Sequence, residues 1–241
     1  SAALPTDLPV LAVLGLVAPG EGDWARLRGM QYASLSRVTL LRTATHIVAS
    51  AENSLRSLRV DYLDLLLIHR PNPLTDPREV NDAFMALKDS GKVLHFGVSN
   101  FLPSQFEMLA SKLDVPLVTN QIEYSVMHLD PHADGSLDLC QRLDLRPMAW
   151  SPMGGGRLFH EESEQADRLR DVLGRIGRRA GGASMDQVAL AWVLMHPAQF
   201  VPVLGTGRLS RIRKAVEALG LLLSREQWFE IWCASTGRDV P

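Results

Sequence analysis

Five short runs carry the side chains best suited to chemistry, and each sits at or just beyond the end of an apolar stretch. His69 follows Leu66-Leu67-Ile68. Ser99-Asn100 and Asn120-Gln121 close two further apolar runs, Ser151-Pro152-Met153-Gly154-Gly155-Gly156-Arg157 follows Trp150, and Gly205-Thr206-Gly207-Arg208 leads into Arg211, Arg213 and Lys214. A histidine at a strand mouth can hydrogen-bond a polarised oxygen, although a satisfied core imidazole is the commoner case. Ser-Asn after a strand is commonly a turn or a helix N-cap. Consecutive glycines let backbone N–H groups approach an anion, with Arg157 as a counter-charge, though flexible loops are the more frequent reason for them. The last run is more telling. Cations in the first turns of a helix oppose its macrodipole by roughly 0.3–1 kcal/mol each, and an anion bound at that terminus reverses the sign. A solvated basic face is the alternative.

These residues need elements to hold them. Residues 63–68 form the apolar run of a strand buried on both faces. Residues 78–90 follow with helical spacing, Val80, Phe84, Met85 and Leu87 on one side and Gly91 as the stop. Strands are expected over 93–98, 115–121, 146–150 and 200–204, and helices over 103–111, 137–143, 161–195, 208–218 and 225–233. Strands alternating with helices indicate parallel sheet. Polar or glycine-rich residues after every strand point to a (β/α)8 TIM barrel, whose site is built from all the strand C-termini, rather than to an open sheet with one switch point. No G-x-G-x-x-G follows a first strand, which weakens the dinucleotide-binding open sheet further.

Upstream, residues 8–16 read as a first strand and 30–34 as a weaker one. A complete barrel takes about 250 residues, and 60 residues are short for three βα units. At least one strand with its loop is therefore expected to be missing, either as segments absent from this sequence or because the barrel is naturally reduced; the former is favoured, because a barrel lacking a strand would expose two sheet edges.

The 241 residues, 46% hydrophobic and 22% charged, suit one large soluble domain, 1–241, with a core that needs no staples. The formal net charge of -2 argues against nucleic acid as the main partner. No run approaches the roughly 20 apolar residues of a membrane span. Cys140 and Cys233 match no metal or redox spacing and read as reduced thiols of a cytoplasmic protein. His160-Glu161-Glu162-Ser163-Glu164 lacks the second histidine of a zinc-protease helix and reads as a charged helix start. No metal site is expected. A place for His128 and His132 near a substrate mouth is one reading, a solvated loop the preferred one, and Asp186 reads as the lead into an apolar helix.

Asp64-Leu65-Leu66-Leu67-Ile68-His69-Arg70-Pro71 resembles the strand-four motif of the aldo-keto reductases. Gly97-Val98-Ser99-Asn100-Phe101, Asn120-Gln121-Ile122-Glu123-Tyr124 and Ala149-Trp150-Ser151-Pro152 follow in that family's order and spacing. The resemblance runs from about Thr45 to the C-terminus. It is nearest the bacterial branch that also resembles potassium-channel β subunits, where tryptophan takes the stacking position. It implies hydride transfer from NADPH to an aldehyde or ketone carbonyl of a small molecule. Ser99, Asn100 and Gln121 would hold the nicotinamide carboxamide, for which they supply donors and acceptors. Trp150 would stack on the ring, and His69, the one catalytic residue assigned, would orient the substrate carbonyl. Ser151, Met153, Gly154 and Arg157 would meet the pyrophosphate. Gly205, Thr206, Gly207, Arg208 and Arg211 would take the adenosine 2′-phosphate, favouring NADPH over NADH. Some relatives have lysine where Gly205 stands and asparagine where Ala215 stands, which loosens that preference.

The family's proton donor, a tyrosine beside a lysine and an aspartate, has no counterpart here. No Asp-x-Ala-x-x-Tyr segment occurs, and although residues 30–34 resemble the strand before the catalytic lysine, position 35 is Leu35. Three functions follow: an NADPH-dependent carbonyl reductase; an NADP(H)-binding module of little or no activity, acting as a redox sensor or partner subunit; and a barrel enzyme for a phosphorylated substrate. The third has no use for a carboxamide clamp.

Overall fold

The structure, a computed structural model, describes residues 12–13, 32–34 and 44–240. Among them the elements run, in chain order, β1 (Ala12–Val13), β2 (Tyr32–Ser34), α1 (Ala44–Leu58), β3 (Leu63–Ile68), α2 (Pro77–Asp89), β4 (Val93–Ser99) and α3 (Pro103–Ala110). There follow β5 (Leu117–Glu123), α4 (Ser136–Arg142), β6 (Met148–Trp150), α5 (Arg157–His160), α6 (Glu164–Arg179), α7 (Met185–Leu194), β7 (Val201–Leu204), α8 (Leu209–Glu217) and α9 (Arg225–Thr236). By packing, the chain divides into two compact units. The first contains residues 32–34, 44–122 and 134–147, the second 12–13, 123–133 and 148–240.

In the first unit, β2, β3, β4 and β5 pair in parallel, with Tyr32 opposite Leu65, Leu65 opposite His95, and Ser99 opposite Gln121. β3 is buried on both faces, as its apolar run, interrupted only by half-buried Asp64, requires: Leu63, Leu65, Leu66, Leu67 and Ile68 are all buried. Burying each such side chain contributes about 1.5–3 kcal/mol. α2 begins where Asp76 accepts a hydrogen bond from the Arg78 amide and Pro77 occupies the first turn. Its buried face is Val80, Ala83, Phe84 and Leu87, and Phe84 stacks on Phe96 of β4 at 4.1 Å between ring centres. Gly97 marks the closest approach in this unit. A Cβ there would stand 2.6 Å from Leu67 Cδ2 and 2.8 Å from the Thr119 carbonyl oxygen, so no larger residue fits.

In the second unit, β1 pairs with β7 (Ala12 opposite Val203) and β6 with β7 (Met148 opposite Val201), again in parallel. The expected helix over 161–195 is in fact two helices. His160 ends α5, Ser163 caps α6 through the Ala166 amide, and Gly181 and Gly182, both with positive φ, separate α6 from α7. Of the charged segment His160 to Glu164, Glu161 and Glu162 lie between the helices, while Ser163 and Glu164 form the expected charged start of α6. Gly177 lets the chain turn back: a Cβ would lie 2.2 Å from the Ala183 carbonyl oxygen. α7 and α9 meet through Trp192 and Trp228, whose rings stack at 4.7 Å, 10° from parallel. Each indole N–H donates to the other residue's backbone carbonyl at 3.1 Å. Stacking of this kind adds about 0.5–1.5 kcal/mol to area burial.

β1 and β2 fall inside the two N-terminal strands read from the sequence. The remainder of both runs, with Leu35, lies outside the described residues.

Candidate functional site

In the first unit, His69, Ser99, Asn100 and Gln121 are joined by one run of hydrogen bonds. His69 is the residue after β3, and its backbone carbonyl accepts from Asn100 Nδ2 at 3.2 Å. The same Nδ2 donates to Ser99 Oγ at 3.0 Å, and the Ser99 hydroxyl donates to the Gln121 backbone carbonyl at 2.9 Å. That carbonyl also takes the Asn100 amide at 2.8 Å. The pairing of β4 with β5 sets Ser99 opposite Gln121 and so makes these bonds possible. Asn100 has φ 60°, a left-handed conformation that asparagine tolerates better than other residues with a side chain. Ser99 and Gln121 are buried, and His69 and Asn100 are half-buried.

Asn120 has a different task. Its Nδ2 donates to the Phe101 carbonyl at 2.7 Å and its Oδ1 accepts the Phe101 amide at 3.4 Å, so the side chain splints the turn after β4.

In the second unit, Trp150 ends β6 and its carbonyl accepts from the Tyr124 amide at 3.4 Å. The loop after it is built on left-handed residues: Ser151 at φ 50°, Gly154 at 60°, Gly155 at 66° and Gly156 at 92°. The glycines are therefore a requirement of this path, and Ser151 carries local strain. At Gly154 a Cβ would press on Met127, 3.0 Å from its Cγ. Within the loop, the Gly154 N–H donates to Ser151 O at 2.7 Å and the Gly156 N–H to Met153 O at 3.0 Å. Arg157 Nε donates to Gly154 O at 3.0 Å. Its guanidinium also lies 3.6 Å from Glu123 and 3.8 Å from Glu161, so three oxygens share the cation.

The glycine turn after β7 leads directly to α8. Thr206 Oγ1 accepts the Arg208 amide at 3.2 Å, Arg208 and Arg211 are exposed, and the first turn of α8 has no acidic residue. Leu204 at the end of β7, Leu190, and Ala215 and Ala218 on and just beyond α8 form a small apolar cluster against which Met153 packs. That contact brings the glycine loop and α8 together within this unit.

Sequence reasoning passed over a second polar group. His132, taken as a solvated loop residue, lies in a tight turn (Asp130–His132) that folds it inward. Its Nε2 is 2.9 Å from the Tyr124 hydroxyl and its ring stands edge-on to Trp232 at 4.6 Å. His196, packed beside it, accepts the Ala198 amide at Nδ1. Burial raises the Tyr124 pKa and lowers that of His132 to about 4, the neighbouring His196 adding a smaller push. Both groups are thus neutral near pH 7, and they share one hydrogen bond. His128 is half-buried, 3.8 Å from the Asp130 carboxylate.

Among the described residues no group of His, Cys, Asp and Glu could hold a metal, and no helix is long and apolar enough to cross a membrane. Burial pushes the Cys140 thiol up to about 12, with Asp134 adding to the shift, which leaves it unreactive.

The model of the Aldo/keto reductase family matches residues 38–233. The chain is 53% identical over 196 residues to "Oxidoreductase YdhF" of Escherichia coli (strain K12), covering 81% of this chain and 65% of that protein. It is 43% identical over 237 residues to a "6-dehydroglucose reductase" of Agrobacterium fabrum, covering 98% and 75%. The chain thus spans about two thirds to three quarters of the length of these relatives. The crystal structure of the thermostable aldo-keto reductase Tm1743 with the inhibitor epalrestat superposes with a TM-score of 0.72 at 31% identity, over 80% of this chain and 67% of that one. Parallel strands with polar residues at their ends, a family match across most of the chain and a shared fold lead to one assignment: the chain is a (β/α)8-class protein belonging to the aldo/keto reductase family.

Proposed function

We propose that the chain acts as an NADPH-dependent oxidoreductase that reduces aldehyde or ketone carbonyls of small molecules. The observation that carries this reading is the hydrogen-bonded run from His69 through Asn100 and Ser99 to Gln121. It sets amide and hydroxyl groups at neighbouring strand ends, fixed before any ligand arrives, as recognition of a planar carboxamide requires. Trp150, half-buried at the end of β6, would stack on the nicotinamide ring. The backbone N–H groups of the left-handed glycine loop suit a pyrophosphate. Arg208 and Arg211 at the start of α8 suit the 2′-phosphate, whose charge turns an unfavourable helix-terminal arrangement into a favourable one. When bound, the coenzyme supplies the hydride. The His69 imidazole hydrogen-bonds the substrate oxygen and holds the carbonyl in orientation.

A second reading has its own observation. The three tyrosines are Tyr32, Tyr62 and Tyr124, and none lies in an Asp-x-Ala-x-x-Tyr segment. Tyr124 is buried with its pKa raised, the reverse of what a proton donor near neutrality needs. This favours an NADP(H)-binding module with little turnover.

Titration of the protein with NADPH, followed by loss of absorbance at 340 nm with a panel of aldehydes and ketones, separates the two. Binding with turnover supports the reductase. Binding without turnover leaves the module. A folded protein that binds neither NADPH nor NADH overturns both.

A further inference from the structure

Arg157 was expected to stand as a counter-charge for an anion, yet its guanidinium is already met by two carboxylates. Glu161, four residues on along α5, is the usual helical partner and is partly exposed. Glu123 differs. It comes from the end of β5, its side chain is only 23% exposed, and it faces the guanidinium at 3.6 Å. A charge held that way is screened less by salt than a surface pair. Arg157 at the same time grips the Gly154 carbonyl, so the pair fastens the left-handed loop to a strand end.

We propose that Glu123 is an affinity-setting residue: its carboxylate is a resident anion that competes with the coenzyme pyrophosphate for Arg157, weakening binding and hastening release. This inference rests on the reading that the glycine loop receives the pyrophosphate. Glu123 touches no reacting atom. It acts through Arg157, and its effect is one of charge rather than shape. Two acids around one guanidinium leave that locality net negative, so a further anion enters against repulsion until Arg157 changes partner. Removing the charge of Glu123 while keeping its size removes that repulsion.

The test compares NADP+ and 2′-AMP binding by calorimetry in the wild type, Glu123→Gln, Glu123→Asp and Arg157→Ala. Glu123→Gln is expected to bind NADP+ roughly fivefold or more tightly, with a slower off-rate. Glu123→Asp should stay near wild type, and Arg157→Ala should bind more weakly. The gain in Glu123→Gln should shrink as salt rises, which a purely structural role would not produce. 2′-AMP carries no pyrophosphate and should bind all four proteins alike. Equal or weaker NADP+ binding by Glu123→Gln overturns the proposal. If Glu123→Gln does not fold, the Asp/Asn pair at position 123 gives the same comparison of charge at constant size. Wild-type protein that binds neither probe overturns this inference and the proposed function together, whereas binding that ignores position 123 overturns this inference alone.

Discussion

The side chain of Asn100 donates to the backbone carbonyl of His69 at 3.2 Å, tying the end of β4 to the end of β3 from a left-handed conformation. The tie uses only the main chain of His69, so the imidazole can be changed without cutting it.

Replacing Asn100 separates two costs. Asn100→Ala loses its side-chain hydrogen bonds, about 0.5–1.5 kcal/mol each, and adds left-handed strain of about 1–2 kcal/mol. The expected loss is therefore about 2–5 kcal/mol. Asn100→Gly is free of the strain and should lose about 1–3 kcal/mol. Urea denaturation of both variants checks this; equal losses would mean that the left-handed backbone carries no strain in the alanine variant.

His69→Gln should lower kcat/KM for carbonyl reduction about 100-fold, as loss of one oriented donor commonly does. NADPH affinity should stay unchanged, because the side chain serves the substrate. Steady-state kinetics beside coenzyme titration distinguishes this from damage to the clamp, which would weaken both.

Arg211→Ala should weaken NADPH binding roughly tenfold, the worth of about one charge-assisted hydrogen bond, and leave NADH binding nearly as it was. Equal losses for the two coenzymes would remove the 2′-phosphate assignment from α8.

The Tyr124–His132–His196 cluster makes the second unit sensitive to acid. The unfolded chain protonates His132 near pH 6.5, whereas the folded chain resists until about pH 4 because burial, then His196, opposes the charge. His196 is shifted in the same direction by burial. Acid in that interval thus favours the unfolded state, and stability should fall from pH 6.5 towards 4 and flatten below. His132→Phe should reduce that slope. Denaturation midpoints at pH 7, 5.5 and 4.5 measure it.

The strands from β3 to β7 were legible because strands buried on both faces have mostly apolar runs, as Leu63 to Ile68 does with Asp64 its one polar residue. α1 was not called out, since its buried stripe is only Ile47, Ala51 and Leu55 in a sequence of small and polar residues. The break between α6 and α7 did have a signal, Gly181-Gly182, which a long helical period overrode. Within the site, residues at strand ends were readable, because position along a strand decides what reaches its mouth. What could not be read was pairing. That Asn120 splints Phe101 while the main-chain carbonyl of Gln121 takes the Ser99 hydroxyl depends on register. That Glu123 meets Arg157, and His132 meets Tyr124, depends on how separate segments fold back on one another.

The exchange of indole N–H groups between Trp192 and Trp228 bears on how the protein is made. The Trp192 carbonyl lies in the last turn of α7, where carbonyls have no partner within their own helix. Its donor comes from α9, 36 residues later. During synthesis α7 therefore emerges with an unfinished end, and the second unit cannot close until the ribosome has passed position 228 and released enough chain for α9 to turn back. Until then Trp192 is exposed to any chaperone attending the nascent chain, so a pause in translation before α9 would prolong the interval in which this unit can aggregate.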